Sequence, residues 1–155
     1  SAYAGIINFD DDDFTYREFI TTRLLKQLSA GKVYLVSMYV NLADSSQYYN
    51  NRFGFCLSKT KKLPSEHKLK EYNVYTCDDG ITAYNDTIKS DTASWHLIQT
   101  EYQAKGGEEY LIIGLCKNNM TKKEYRKANR SNKTHAGHNG YAYYYIDDVA
   151  VEEKK

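Results

Sequence analysis

Ten consecutive residues, Val33–Leu42, alternate without a break. Tyr34, Val36, Met38, Val40 and Leu42 form one apolar set, and Ser37, Tyr39 and Asn41 fall between them. A period of two belongs to a pleated strand, whose successive side chains leave opposite faces; a helix would scatter the same residues around its circumference. The even-numbered set is therefore predicted to face a core, and Tyr39 and Asn41 to point away from it. One strand cannot bury its apolar face alone, so this segment calls for a second packed layer.

The rest of the chain supplies strands for such a layer. Residues 3–9 are apolar and β-compatible. Residues 10–13 are four consecutive aspartates, which repel one another and read as a loop. Residues 16–24 read as a strand, with a short helix as the competing reading because Leu24, Leu25 and Leu28 fit helical spacing. Residues 29–32 read as a turn. In residues 52–58, Phe53, Phe55 and Leu57 alternate with Gly54, Cys56 and Ser58. Residues 59–70 are basic and read as a surface loop. Residues 72–77 suggest a short strand before the turn signal Asp78-Asp79-Gly80. Residues 94–104 read as a strand with Ile98, Thr100 and Tyr102 on one face. Residues 105–108 look like a hairpin turn into a returning strand at 110–116. Residues 117–140 read as a polar loop and 141–151 as the last strand, with 152–155 as a solvated tail. Many strands, long loops and no sustained helical period predict an all-β jelly-roll sandwich of two antiparallel sheets in a single domain, 1–151.

Charge and composition narrow the functional classes. The formal net charge is +1, which provides no long-range field for nucleic acid, so none is expected as a partner. No apolar run approaches the roughly 18 residues that span a bilayer as a helix. Cys56, Cys77 and Cys116 lack metal-ligand spacing; they read as buried inert thiols, with one disulfide and a leftover thiol as the competing reading. There is no Gly-x-Ser-x-Gly, no phosphate-cradling Gly loop and no HExxH, and Glu108 and Glu109 sit at a turn where exposed charge is expected. The chain is not expected to be an enzyme.

Three stretches carry a resemblance: Gly31-Lys32-Val33-Tyr34-Leu35-Val36-Ser37-Met38-Tyr39-Val40 with Leu42-Ala43-Asp44; Trp95 followed by Tyr102-Gln103-Ala104-Lys105-Gly106-Gly107-Glu108-Glu109-Tyr110-Leu111-Ile112-Ile113-Gly114; and Tyr143-Tyr144-Tyr145-Ile146-Asp147-Asp148-Val149. Together they resemble the galactose-binding-like jelly-roll domains of Bacteroidetes surface and cell-envelope proteins, which are similar to carbohydrate-binding modules. Such domains often precede OmpA-like or sorting modules. The resemblance implies an exported protein at the cell surface, outer membrane or periplasm. It also implies a structural Ca²⁺ held in part by Asp147 and Asp148. Family members carry a further N-terminal strand that this sequence lacks, so that site is expected to be incomplete.

Sixteen tyrosines are the chain's compositional signature. A tyrosine presents an apolar ring with a polar tip, which suits sugar recognition as well as a half-wet sheet. Tyr143 and Tyr145 share one face of the last strand, opposite Tyr144 and Ile146. If that strand neighbours Val33–Leu42, then Tyr39, Asn41, Tyr143 and Tyr145 would line one surface, joined by Arg17, Gln99 and Glu101. The expected role is glycan or peptidoglycan binding by a non-catalytic accessory domain. The alternative is a protein-interaction or scaffold domain in an envelope secretion or motility assembly, using the same surface or an open sheet edge. His135 and His138 read as loop histidines, and the aspartate run as a solvated loop.

Overall fold

The computed structural model describes residues 2–10, 16, 18–50, 52–61, 81–84, 91–114 and 140–155. Several sequence readings fall outside them: most of the aspartate run, Arg17, the strand at 72–77 and its turn, Cys77, Cys116, and the loop with His135 and His138.

The described residues form eight strands and no helix: β1 (Ala4–Asp10), β2 (Ile20–Arg23), β3 (Val33–Leu42), β4 (Arg52–Ser58), β5 (Ile81–Tyr84), β6 (His96–Gln103), β7 (Tyr110–Gly114) and β8 (Tyr141–Glu153). One sheet has the order β1-β8-β3-β6 and the other β2-β7-β4-β5. All pairings are antiparallel. Of the consecutive strands, β4 and β5 alone are neighbours within a sheet; every other step along the chain crosses from one sheet to the other. This is jelly-roll connectivity, in which two sheets share one core.

The alternation in β3 does what its period requires. Tyr34, Val36, Met38, Val40 and Leu42 are all buried. They meet Ile98 and Tyr102 of β6 and Ala142, Tyr144 and Ile146 of β8 on their own side, and Phe53, Phe55, Leu57, Leu111 and Ile113 from the other sheet. Tyr144 stands edge-on to Phe53 across the layers, with ring centroids 5.0 Å apart. Its hydroxyl donates to Asn50 O at 2.9 Å and accepts from Asn50 N at 2.7 Å. Burial pushes that phenol well above its ordinary pKa, so it stays neutral.

β8 changes phase partway. Its inward residues are even-numbered up to Ile146, yet Val151 is the one that packs against the core beyond. The register slips between Ser37 and Tyr39 of β3, which pair with Ala150 and Asp147, so Asp148 and Val149 together face Met38. Asp148 takes φ 48° to make this bulge, a left-handed conformation that aspartate tolerates better than most residues.

Four sequence readings need correction. The segment at 16–24 forms a strand over Ile20–Arg23 alone; Leu24 still packs on the core, but Leu25 is fully exposed and no helix forms. Residues 152 and 153 are part of β8, and Lys154 N donates to Val33 O at 2.8 Å, so this end is no free tail. β5 carried too little alternation to be read. The turn at 105–108 is not a hairpin, because β6 and β7 lie in different sheets. It carries the chain across the sandwich, with Gly106 and Gly107 at φ 90° and 92°.

Glu108 is the largest departure from the sequence reading, since it is buried rather than exposed. Its Oε1 accepts from the Tyr102 hydroxyl at 2.8 Å and from Lys105 N at 2.7 Å. Burial pushes the carboxyl upward, but the N–H groups of the turn and the Tyr102 hydroxyl outweigh it and hold the pKa below the usual range. A carboxylate depressed in the folded state contributes stability above its unfolded pKa, near 4.3, and loses that contribution as pH falls through its folded value. Glu108→Gln is expected to cost about 1–3 kcal/mol at neutral pH. The gap to wild type should narrow as urea midpoints are followed down through pH 4; a gap that stays constant with pH would assign the carboxylate no special role.

Candidate functional site

The two outer faces of the sandwich differ. On the β4 sheet, Cys56 and Ile112 are completely covered and pack with Phe19. Gly114 lies so close under Phe19 that an added Cβ would fall 2.4 Å from the ring. Cys56 is disulfide-bonded, which corrects the expectation of an inert thiol; its partner lies outside the described residues. Spacing along the chain carried no information on which cysteines pair.

The outer face of the β1-β8-β3-β6 sheet is more open. Asn41 pairs with Tyr145, Tyr39 with Asp147 on one side and Leu97 on the other, Ser37 with Gln99, and Leu35 with Glu101 and Glu152. Tyr143 follows two residues before Tyr145, opposite Ile7. Tyr39, Asn41, Gln99, Glu101, Tyr143 and Tyr145 thus share one sheet face, as the alternation predicts, while Arg17 lies outside the described residues.

Their roles on that face are unequal. Asn41 uses its amide hydrogens inside the protein: Nδ2 donates to Ser94 O at 2.8 Å and Thr92 O at 3.1 Å, pinning the segment that carries Trp95. Asp91 shapes that segment by accepting from Ala93 N at 2.8 Å, and this bond, with a second from the Ser94 side chain, holds the Asp91 carboxyl below its usual pKa. Glu101 is ion-paired with Lys154 at the far end of the sheet. Tyr143 lies across Gly5, where an added Cβ would come within 2.1 Å of its hydroxyl, so β1 accommodates the ring by omitting a side chain. Burial, then the Glu18 carboxylate and the neighbouring tyrosines, keep the Tyr143 phenol neutral.

Two residues that sequence reasoning passed over complete the surface. Tyr3 packs edge-on to Tyr145 with centroids 4.8 Å apart, and meets Trp95 at 6.4 Å. Tyr145 continues to Tyr143 at 5.6 Å and Tyr143 to Tyr141 at 6.2 Å. The rings form a connected ladder, but adjacent members are tilted or edge-on. This is no flat platform. The most open rings of this face are Tyr3 and Trp95 of the ladder and Tyr39, which stands beside exposed Leu97. The hydroxyls of Tyr3, Tyr39 and Tyr145 and the indole N–H of Trp95 have no hydrogen-bond partner among the described residues. Trp95 has the parity of Gln99 and Glu101 in the strand expected at 94–104, whereas Tyr3 carried no signal beyond its place at the start of the strand expected at 3–9.

Asp147 belongs to this surface. It faces outward two residues after Tyr145 and directly opposite Tyr39. Its Oδ1 accepts from Asp148 N at 2.9 Å. Ca²⁺ wants six to eight oxygens, and two adjacent carboxylates diverging at a bulge do not supply them. No cluster of three or more His, Cys, Asp or Glu occurs among the described residues.

The β1 edge is partly closed. Glu18 N donates to Ile7 O at 3.0 Å, and Ile7 N donates to Glu18 Oε2 at 2.7 Å. No family model, no curated protein and no solved structure matches the chain.

Proposed function

We propose that this jelly roll is a non-catalytic glycan- or cell-wall-binding domain of an exported envelope protein, binding through the outer face of the β1-β8-β3-β6 sheet. The observation that carries this reading is the exposed group of Tyr3, Trp95 and Tyr39, which joins ring faces to hydroxyl and indole N–H groups that have no hydrogen-bond partner among the described residues. Sugars use both features, stacking C–H faces on rings while polar tips read hydroxyls. Gln99 extends the polar part of the face, and peptidoglycan is a candidate glycan. The disulfide at Cys56 supports an oxidising location, such as the periplasm or cell surface. The resemblance read from the sequence to Bacteroidetes envelope domains implies the same location. A strand-adding protein partner is less well supported, because Glu18 already engages both backbone groups of Ile7.

The test is a glycan array and a peptidoglycan pull-down with wild type, Trp95→Ala and Tyr39→Ala. Each truncation is expected to weaken binding about fivefold to tenfold, on the order of 1 kcal/mol per ring contact. Thermal melts should barely move, since both rings are exposed. Binding that is indifferent to both substitutions would move the site elsewhere.

A further inference from the structure

Resting on the glycan reading, we infer that the preferred ligand is a glycan bearing free amino groups, with Asp147 as the group that pairs with its ammonium. The charge of this sheet is one-sided. The strands β1, β8, β3 and β6 contain no lysine and no arginine, although the whole chain is nearly neutral. They contain Asp10, Glu101, Asp147, Asp148, Glu152 and Glu153. From outside the strands, Lys154 answers Glu101 and Lys32 answers Glu153, both at the end of the sheet away from the rings. Asp147 has no cationic partner among the described residues, and one of its oxygens is left for a ligand.

The position of Asp147 turns that charge into a site. Tyr145 flanks it along β8 and Tyr39 faces it across the β3 pairing. Extending the β1 register by one residue sets Tyr3 on its other side. A carboxylate framed by ring faces suits an ammonium group, because the carboxylate supplies a charge-assisted hydrogen bond and the rings add cation–π attraction. The same field opposes uronic acids and sulfated sugars. A neutral or N-acetylated sugar could stack on the rings but would leave the carboxylate unanswered.

The chain has a single tryptophan, Trp95, and it lies against Tyr3 on this surface, so its fluorescence reports occupancy directly. Wild-type protein would be titrated with fully de-N-acetylated glucosamine tetramer, its N-acetylated counterpart and cellotetraose. The aminated tetramer is expected to bind about tenfold more tightly than the other two at low salt. That preference should shrink as salt is raised. Asp147→Asn, which keeps an oxygen for Asp148 N, should abolish the preference, whereas Glu152→Gln on the same face should retain it. Equal or tighter binding of the acetylated or neutral tetramer to wild type would overturn the amine preference and leave the glycan reading standing, as would a preference that survives Asp147→Asn. Absence of binding for all three tetramers and for peptidoglycan would remove the glycan reading itself.

Discussion

Phe53→Ala is expected to destabilise the domain by about 3–5 kcal/mol, the range for deleting a large buried ring. Phe53 is fully buried and comes from the β4 sheet, while its edge-on partner Tyr144 comes from the β8 sheet. The substitution therefore opens a cavity between the layers, at the contact that makes two sheets one body. Small domains hold only about 5–15 kcal/mol in total, so the variant should lie near its unfolding threshold. Urea titration followed by far-UV circular dichroism would measure the loss. Truncating Tyr39, on the opposite side of the β3 strand, should cost well under 1 kcal/mol by the same measurement. Similar losses for the two would mean that the interior and the binding face had been assigned to the wrong sides of the sheet.

Loss of the Cys56 disulfide is expected to cost about 2–4 kcal/mol. For a domain of this length each kcal/mol shifts the melting temperature by about 2–4 °C. The wild-type melt should fall in reductant. Cys56→Ala should melt low in either condition, which separates the bond from other effects of reducing agents. Of the three cysteines in the chain, two are consumed by the bond, so unfolded, unreduced protein should titrate with one reactive thiol. Finding three thiols would contradict the bond at Cys56.

The fold was legible where alternation was long and one-sided. Val33–Leu42 gave its strand bounds and both of its faces, and Tyr143, Tyr144 and Tyr145 sorted correctly by parity alone. Reading failed where the third dimension decides. Lys105-Gly106-Gly107-Glu108 has the composition of a hairpin, yet the chain uses it to change sheets, because the β4 strand takes the place beside β7 that a hairpin would have given to β6. Glu108 is hidden because the turn folds its own N–H groups and Tyr102 around the carboxylate, and composition carries no trace of that. Much of the candidate surface followed from parity, but the contact between Tyr3 and Trp95 did not. They lie far apart in the chain and at opposite edges of one sheet, and meet across the β8 and β3 strands that separate β1 from β6.

The extra residue at Asp148 has a consequence for how such a chain can change. Removing Asp148 would leave Val149 alone opposite Met38 and restore plain alternation, with Ser37 still beside Ala150 and Val36 still beside Val151. A deletion of that one residue should thus be tolerated far better than a deletion elsewhere in the strand, where every later side chain would change faces, and replacing Asp148 with glycine, which accepts the same backbone angles, should pass almost unnoticed.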